Sequence, residues 1–180
     1  MSKMSRRIVV DASVAGSAGG TEDPESGGCR RFLLGMLRIC HRVVWSAELQ
    51  AEWRQHASGF SVRWLAAMQS KGKIVNVDAG PQHFFEQSLA TFSEAERHAV
   101  RKDALLVEAA VAADRLVASR DEKARALFWR LAQEAPEIRS LVWVNPCKKD
   151  DDALAWLEGG ARSEAWRRLG GQAAPARQRP

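Results

Sequence analysis

RRIVVDASV, residues 6–14, is the stretch that decides the fold. It contains three β-branched residues in succession, Ile8 to Val10, and then places a carboxylate at Asp11. A short apolar run bounded by small, turn-tolerant residues predicts a buried strand whose carboxyl end emerges at Asp11. In a parallel α/β sheet, that end faces the crevice where ligands bind. The alternative is that Asp11 only caps a following helix or turns the chain.

Four more short apolar runs follow along the chain: RVVW (42–45), IVNV (74–77), LVAS (116–119) and LVWV (141–144). Segments with helical spacing of apolar residues separate most of them, and this alternation is typical of a parallel sheet covered by helices. We therefore expect an α/β protein, a three-layer α/β/α fold with a central, mostly parallel five-stranded sheet. The expected domain covers residues 1–147, and residues 148–180 form a C-terminal tail with a short helix and a frayed end.

Capping and turn residues predict the connections. Ser46 begins a helix to about residue 57, and Ser93 with Glu96 has the spacing of a capping box for a helical region that breaks near Lys102 and ends at about residue 113. Residues 29–41 have helical spacing, whereas AGSAGGTEDPESGG (15–28) predicts a long exposed loop. That loop is not a Walker phosphate-binding loop, because no lysine occurs between Lys3 and Lys71.

Composition limits the class of protein. The 180 residues are 46% hydrophobic, which suits one compact domain, and the net charge of +5 makes a polyanionic partner plausible. Three widely spaced cysteines, Cys29, Cys40 and Cys147, indicate reduced thiols rather than disulfides or a zinc site. No apolar run is long enough for a signal peptide or a membrane span, so we expect a cytoplasmic protein without a membrane partner.

Other acidic residues lie at positions in the predicted elements that are similar to that of Asp11. Asp121 lies two residues beyond LVAS, so it emerges beside Asp11 if the two strands are parallel neighbours. Asp103 begins the apolar run DALLVEAAVAA, and a glutamate comes from the helix after Ser46. Helical spacing does not choose between Glu48 and Glu52 for that position.

Carboxylates that converge without cations repel one another and raise one another's pKa. A divalent ion relieves that cost, and hard oxygen ligands without nearby histidine or cysteine suit Mg²⁺ or Mn²⁺. Such a site indicates phosphodiester hydrolysis, in which the metal activates the attacking water. Asp114, just before LVAS, either orients that water or is an exposed turn residue.

Three segments resemble the motifs of PIN-domain proteins, the ribonuclease fold of many bacterial toxins and RNA-processing nucleases. IVVDASV (8–14) resembles the first acidic motif, VVWSAELQAEW (43–53) the second, and RKDALLVEAAVAADRLVASRDEKAR (101–125) the third and fourth. The chain departs from the family in two ways. Ser119 stands where members most often have threonine, and the glycine-rich segment after Asp11 is longer than in compact members.

The resemblance implies metal ligands, or acids that orient ligands, at Asp11, Glu52, Asp103 and Asp121, with Ser119 positioning a ligand or water by hydrogen bonding. It implies an endoribonuclease that depends on Mg²⁺ or Mn²⁺ and hydrolyses single-stranded RNA. One setting is the toxin of a toxin–antitoxin pair, with a small protein inhibitor and a second copy of the chain as partners. The alternatives are a PIN-like RNA-binding or scaffolding protein without catalysis, and a metal-dependent phosphatase or DNA nuclease.

Basic residues give candidate phosphate contacts, with solvated surface charge as the alternative reading of each. They are Arg6, Arg7, Arg30, Arg31, Arg38, Arg42, Arg54 and Arg120. The four histidines lack metal-ligand spacing and are expected to be surface or core residues: His41, His56, His83 and His98. The segment FLLGML (32–37) is expected to be part of a core helix rather than a groove for a partner.

Overall fold

The computed structural model describes residues 5–78 and 85–171. The strands are β1 (Arg7–Val10), β2 (Arg42–Trp45), β3 (Ile74–Asn76), β4 (Leu116–Ala118) and β5 (Val142–Val144). The α-helices are α1 (Ala12–Ser17), α2 (Pro24–Arg38), α3 (Ala47–His56), α4 (Gly59–Ser70), α5 (Glu94–Val111), α6 (Glu122–Glu134) and α7 (Ala153–Glu158). Short 3-10 helices lie at Glu86–Leu89, Pro136–Ile138, Lys149–Asp151 and Ala165–Arg167.

The five strands form one sheet in the order β3-β2-β1-β4-β5, and every neighbouring pair is parallel. The predicted α/β/α fold and all five predicted strands are thereby confirmed. Strand β1 lies in the middle, with Val9 opposite Val44 of β2 and Val117 of β4. Beyond the strand, the Asp11 backbone N–H donates to the Ala118 carbonyl at 2.9 Å. The carboxyl ends of β1 and β4 therefore meet at one edge of the sheet.

Each face of the sheet has its own core, because successive strand residues point to opposite sides. Val9, Val117 and Trp143 pack with α5 and α6 in one buried cluster. Ile8 and Val10 pack with α2, α4 and α7 in the other. The helices thus cover both faces, and the edge of the sheet is left to form a crevice.

The predicted exposed loop at 15–28 is wrong at both ends, and within it residues 18–23 are the part that lies outside helices. Residues 12–17 form α1, and α2 begins at Pro24, five residues before the predicted helix at 29–41. Asp23 caps α2 by accepting a 2.9 Å hydrogen bond from the Ser26 N–H, and proline occupies the first helical turn. Two of the glycines that indicated a loop are instead sites of close packing, since a Cβ would lie 2.8 Å from the His56 carbonyl oxygen at Gly16 and 2.9 Å from the Pro146 carbonyl oxygen at Gly28.

The two predicted helix starts are confirmed, but the predicted break is wrong. Ser46 caps α3, and Ser93 with Glu96 forms the complete capping box at the start of α5. Helix α5 runs through Lys102 without interruption. Since residues 94–111 contain neither glycine nor proline, the helix has no residue that favours a break.

Residues 148–171 pack on the same domain. The short helix expected after residue 148 is α7, which lies against α2, where a Cβ on Gly35 would come within 2.9 Å of Leu154. Farther along, the Leu169 N–H donates to the Leu141 carbonyl at 2.8 Å. The end expected to fray falls on residues 172–180, outside the described residues. No helix within the described ranges is long and apolar enough to cross a membrane.

Candidate active site

A cleft of about 380 Å³ opens at the carboxyl edge of the sheet, and we call it the acidic cleft. All four predicted acids line it, each from a different element: Asp11, Glu52, Asp103 and Asp121. Its other polar or charged lining residues are Ser13, Ser17, His56, Lys102 and Arg120. The fold therefore brings together side chains that are up to 110 positions apart in sequence, between Asp11 and Asp121.

Asp11 is held by hydroxyl groups rather than by a helix. It stands at the N-cap position of α1 with extended backbone, but its side chain makes no capping hydrogen bond. Its Oδ2 instead accepts hydrogen bonds from Ser119 Oγ at 2.7 Å and from Ser13 Oγ. The alternative in which Asp11 only caps a helix is therefore not what the structure shows.

Ser119 and Asp121 form a short turn at the end of β4. The Ser119 side chain is fully buried, and its Oγ accepts a 3.1 Å hydrogen bond from the Asp121 N–H while donating to Asp11. Asp121 Oδ1 accepts a 2.8 Å hydrogen bond from the Ala124 N–H and so caps α6. Asp121 thus has two roles, since it begins a helix and also lines the acidic cleft.

Asp103 lies inside α5, at the tenth position of the helix rather than at its start as predicted. Burial, together with the negative charges of Asp121 and Asp11, raises the pKa of Asp103 to about 6. Glu52 raises that pKa further, while Lys102 opposes the shift. Burial is the largest cause of this shift, and the negative charges of the neighbouring acids add to it.

The two candidate glutamates of α3 differ in position. Glu52 lines the acidic cleft, whereas Glu48, one turn earlier on α3, is exposed outside it. Helix α3 is fixed next to β1 because the Trp53 indole donates a 2.9 Å hydrogen bond to the Val10 carbonyl. His56 Nε2 lies 3.9 Å from the Glu52 carboxylate and is itself part of the cleft wall.

Several predicted contacts lie elsewhere. Asp114 is at the opposite edge of the sheet, where it accepts hydrogen bonds from the Arg7 backbone at 2.8 Å and from the Arg7 guanidinium at 2.7 Å. Arg42 also begins its strand at that edge. Of the eight arginines considered as phosphate contacts, Arg120 is the one among the lining residues of the acidic cleft. The eight arginines therefore do not converge on the acidic cleft.

Two basic cleft residues were not predicted as site residues, although the sequence gives a signal for one of them, His56. Lys102 precedes Asp103, and His56 follows Glu52 by four positions, a spacing that places two helical residues on one face. The position of His56 therefore follows from that of Glu52, whereas adjacency to Asp103 does not place Lys102 on the same helix face.

The donor set suits a hard divalent cation. Among residues 5–78 and 85–171, no three side chains of His, Cys, Asp or Glu lie close enough together to form a ready-made metal site. Mg²⁺ does not require one, because it is commonly held by one or two carboxylates, with water and substrate phosphate completing its coordination. Asp11 with Asp121 provides two carboxylates at adjoining strand ends.

Comparisons with protein-family models, with curated proteins and with solved structures found no match to this chain.

Proposed function

We propose that this protein is a metal-dependent endoribonuclease that hydrolyses phosphodiester bonds of single-stranded RNA with Mg²⁺ or Mn²⁺. The observation that carries the proposal is the acidic cleft, in which four carboxylates from four elements line one crevice at the carboxyl edge of a parallel sheet. Ligand sites of parallel α/β proteins lie at this edge. RNA is the substrate that the resemblance to PIN domains implies.

In this proposal the carboxylates of the acidic cleft bind the cation. The negative charges of Asp121 and Asp11 add to the effect of burial on the pKa of Asp103, and a divalent cation that enters would offset them. Asp11 and Asp121 would hold the cation, while Glu52 and Asp103 complete the negative field. Ser119 keeps the Asp11 carboxylate in place. A bound divalent cation supplies activation of water and stabilisation of the charge that develops on the phosphate.

Basic side chains account for substrate binding. Lys102, Arg120 and His56 line the same cleft as the acids, so a phosphate group near the cation would find donors around it. The net charge of +5 favours association with a polyanion. In this proposal the enzyme acts in the cytoplasm. If it is the toxin of a toxin–antitoxin pair, a small protein inhibitor would cover the acidic cleft, and a homodimer is the expected assembly.

The test uses the purified full chain with labelled single-stranded RNA, single-stranded DNA and a small phosphate ester, each with Mn²⁺, Mg²⁺ or a chelator. Asp11→Asn and Asp121→Asn are the test variants, and asparagine preserves the cap of α6. Glu48→Gln is the matched control, since it removes a carboxylate from α3 outside the acidic cleft.

We expect metal-dependent RNA cleavage by the wild type and by Glu48→Gln, and a loss of about a hundredfold or more in both aspartate variants. Binding of metal and RNA without cleavage would replace the proposal with a non-catalytic RNA-binding protein. Cleavage of DNA or of the ester alone would replace it with a DNA nuclease or a phosphatase.

A further inference from the structure

Two cysteines lie in contact where α2 packs against the loop after β5. Cys29 is in α2, and Cys147 follows β5, yet their Sγ atoms are 3.4 Å apart. Both thiols are free in the structure. Cys29 is fully buried, whereas Cys147 is partly exposed. The pair therefore combines one thiol that a small solute can reach with a second thiol directly behind it.

Close backbone packing brings the two thiols together. Gly28 precedes Cys29, and a Cβ at that position would lie 2.9 Å from the Pro146 carbonyl oxygen and 3.6 Å from Cys147 Sγ. The chain at Cys147 is fixed as well, because the Cys147 N–H donates a 2.9 Å hydrogen bond to Asn145 Oδ1. The contact between the thiols is thus set by helix and loop backbones rather than by two mobile side chains.

The surroundings give the two thiols different acidities. The hydrogen bond with Cys29 and the positive charge of Arg120 lower the pKa of Cys147. The same hydrogen bond and burial raise the pKa of Cys29. Cys147 is thus both the more accessible and the more acidic thiol, and thiolates are the reactive form of cysteine.

We propose that Cys147 and Cys29 form an oxidisable dithiol, in which Cys147 reacts with a hydroperoxide and Cys29 then closes a disulfide with it. This is a covalent modification site separate from the acidic cleft, and it does not depend on the proposed nuclease activity. Redox-sensitive cysteines share this arrangement of an accessible thiolate beside a resolving thiol.

The chemistry balances in two steps. The Cys147 thiolate attacks a peroxide oxygen, so that an S–O bond forms, the O–O bond breaks and hydroxide leaves to take up a proton. Sulfur is oxidised to the sulfenic acid while the peroxide is reduced. Cys29 sulfur then attacks Cys147 sulfur, so that the S–S bond forms, the S–O bond breaks and water leaves with the Cys29 proton. With hydrogen peroxide the products are one disulfide and two molecules of water.

The distance is short enough for the second step. A disulfide requires about 2.05 Å between its sulfur atoms, so the two thiols have to approach by a little more than 1 Å from their 3.4 Å contact. The disulfide would link α2 to the loop after β5, 118 residues along the chain. A rotation of the partly exposed Cys147 side chain is the expected movement, because Cys29 is enclosed in the core.

The test treats the reduced full chain with a small excess of hydrogen peroxide, blocks remaining thiols with an alkylating reagent, and maps the peptides by mass spectrometry before and after reduction. We expect a Cys29–Cys147 peptide pair that disappears on reduction, with Cys40 still alkylated. Cys40 is the comparison thiol because it is exposed and lies beyond the C-terminal end of α2, whereas Cys29 is in the first half of that helix. Equal oxidation of Cys40 and Cys147, or oxidation of Cys147 without linkage to Cys29, would overturn the proposal.

A second variant tests the order of the two steps. In Cys29→Ser the sulfenic acid on Cys147 has no thiol to resolve it, so it should persist and be trapped by dimedone. In Cys147→Ser the buried Cys29 should remain unoxidised. Trapping on Cys29 rather than Cys147 would reverse the assigned roles and overturn the proposal. The linkage in the wild-type chain is measured independently of how well either variant folds.

Discussion

The hydroxyl of Ser119 donates a 2.7 Å hydrogen bond to Oδ2 of Asp11, and so joins the carboxyl ends of the two central strands. Ser13 meets the same carboxylate oxygen from α1. With Oδ2 engaged by two hydroxyl groups, the Asp11 carboxylate is fixed in one orientation, and Oδ1 is the oxygen expected to contact a cation. Fixing a ligand by outer hydrogen bonds in this way is a common means of tuning metal affinity.

Ser119→Ala removes the donor that orients Asp11. We expect Mn²⁺ affinity to fall about tenfold, since a hydrogen bond to a charged group contributes roughly 1.5–3 kcal/mol and tenfold corresponds to about 1.4 kcal/mol. Calorimetric titration of Mn²⁺ into the RNA-free protein measures this affinity. Ser119→Thr keeps the hydroxyl and is the matched control, with affinity close to that of the wild type. Wild-type affinity in the alanine variant would show that Ser119 does not act on the metal site.

A comparison of Glu52→Gln with Glu48→Gln tests whether an α3 carboxylate contributes to RNA cleavage only when it lines the acidic cleft. Both remove one carboxylate from α3, but Glu52 lines the acidic cleft and Glu48 does not. We expect Glu52→Gln to lower kcat/KM for RNA by about tenfold to a hundredfold and Glu48→Gln to leave it unchanged. Initial cleavage rates over a range of RNA concentrations give the comparison. Equal effects of the two changes would contradict a specific role for Glu52.

Much of the fold follows from local sequence. The five strands lie in short apolar runs, and Ser93 with Glu96 marks the start of α5, so neighbouring residues carry enough information. Helix α2 was misplaced because Gly27 and Gly28 indicate a loop when read alone. The structural reason for Gly28, the close approach of α2 to Pro146, depends on a contact between distant parts of the chain. The N-cap at Asp23 was the local signal that favoured a helix there.

Some features of the candidate site are likewise predictable from local sequence, whereas others depend on tertiary packing. The positions of Asp11 and Asp121 follow from strand ends, which parallel pairing places together. The choice of Glu52 over Glu48 depends on how α3 rotates about its axis, and the Trp53 hydrogen bond to Val10 fixes that rotation. The contact between Cys29 and Cys147 bridges 118 residues and has no local signature. Such contacts arise from tertiary packing and are not encoded in spacing.

Asp103 predicts how stability depends on pH without metal. Its pKa in the folded protein is raised to about 6 from an ordinary 3.8 by burial and by Asp121 and Asp11, so the folded state binds the proton more tightly than the unfolded state. This contribution to stability is present below about pH 4 and is lost as the pH rises through 6. We expect the Tm of the wild type in chelator to fall across that window, and the Tm of Asp103→Asn to fall less.

The control for Asp103 is the response to Mn²⁺. At about pH 7.5 the ion should raise the Tm of the wild type more than at about pH 5, because protonated Asp103 no longer favours the cation. Asp103→Asn should show a smaller Mn²⁺ effect at the higher pH, and Glu48→Gln should behave as the wild type. A pH slope in Asp103→Asn that matches the wild type would assign the effect to another group.

Gly28→Ala separates helix propensity from packing. Alanine inside a helix is ordinarily favoured over glycine by about 1 kcal/mol, but here the new Cβ would lie 2.9 Å from a backbone carbonyl oxygen that has little freedom to move. We therefore expect a lower free energy of unfolding, by about 1–3 kcal/mol. Gly27→Ala is the matched control, because its nearest neighbour is the end of the flexible Arg31 side chain. Denaturant unfolding measures both, and a stabilised Gly28→Ala would contradict the packing argument.

Arg120→Gln tests what makes Cys147 reactive. The hydrogen bond with Cys29 and the charge of Arg120 lower the pKa of Cys147 to about 7, so its alkylation rate should rise with pH through that value. Loss of the arginine charge disfavours the thiolate, which moves the midpoint upward and slows alkylation and peroxide oxidation several-fold at about pH 7. Arg31→Gln, on the exposed side of α2, is the charge-matched control and should leave the midpoint unchanged. An unchanged midpoint in Arg120→Gln would leave the hydrogen bond with Cys29 as the cause of the acidity, and Cys29→Ala, which has no side-chain donor, would then have to raise the midpoint.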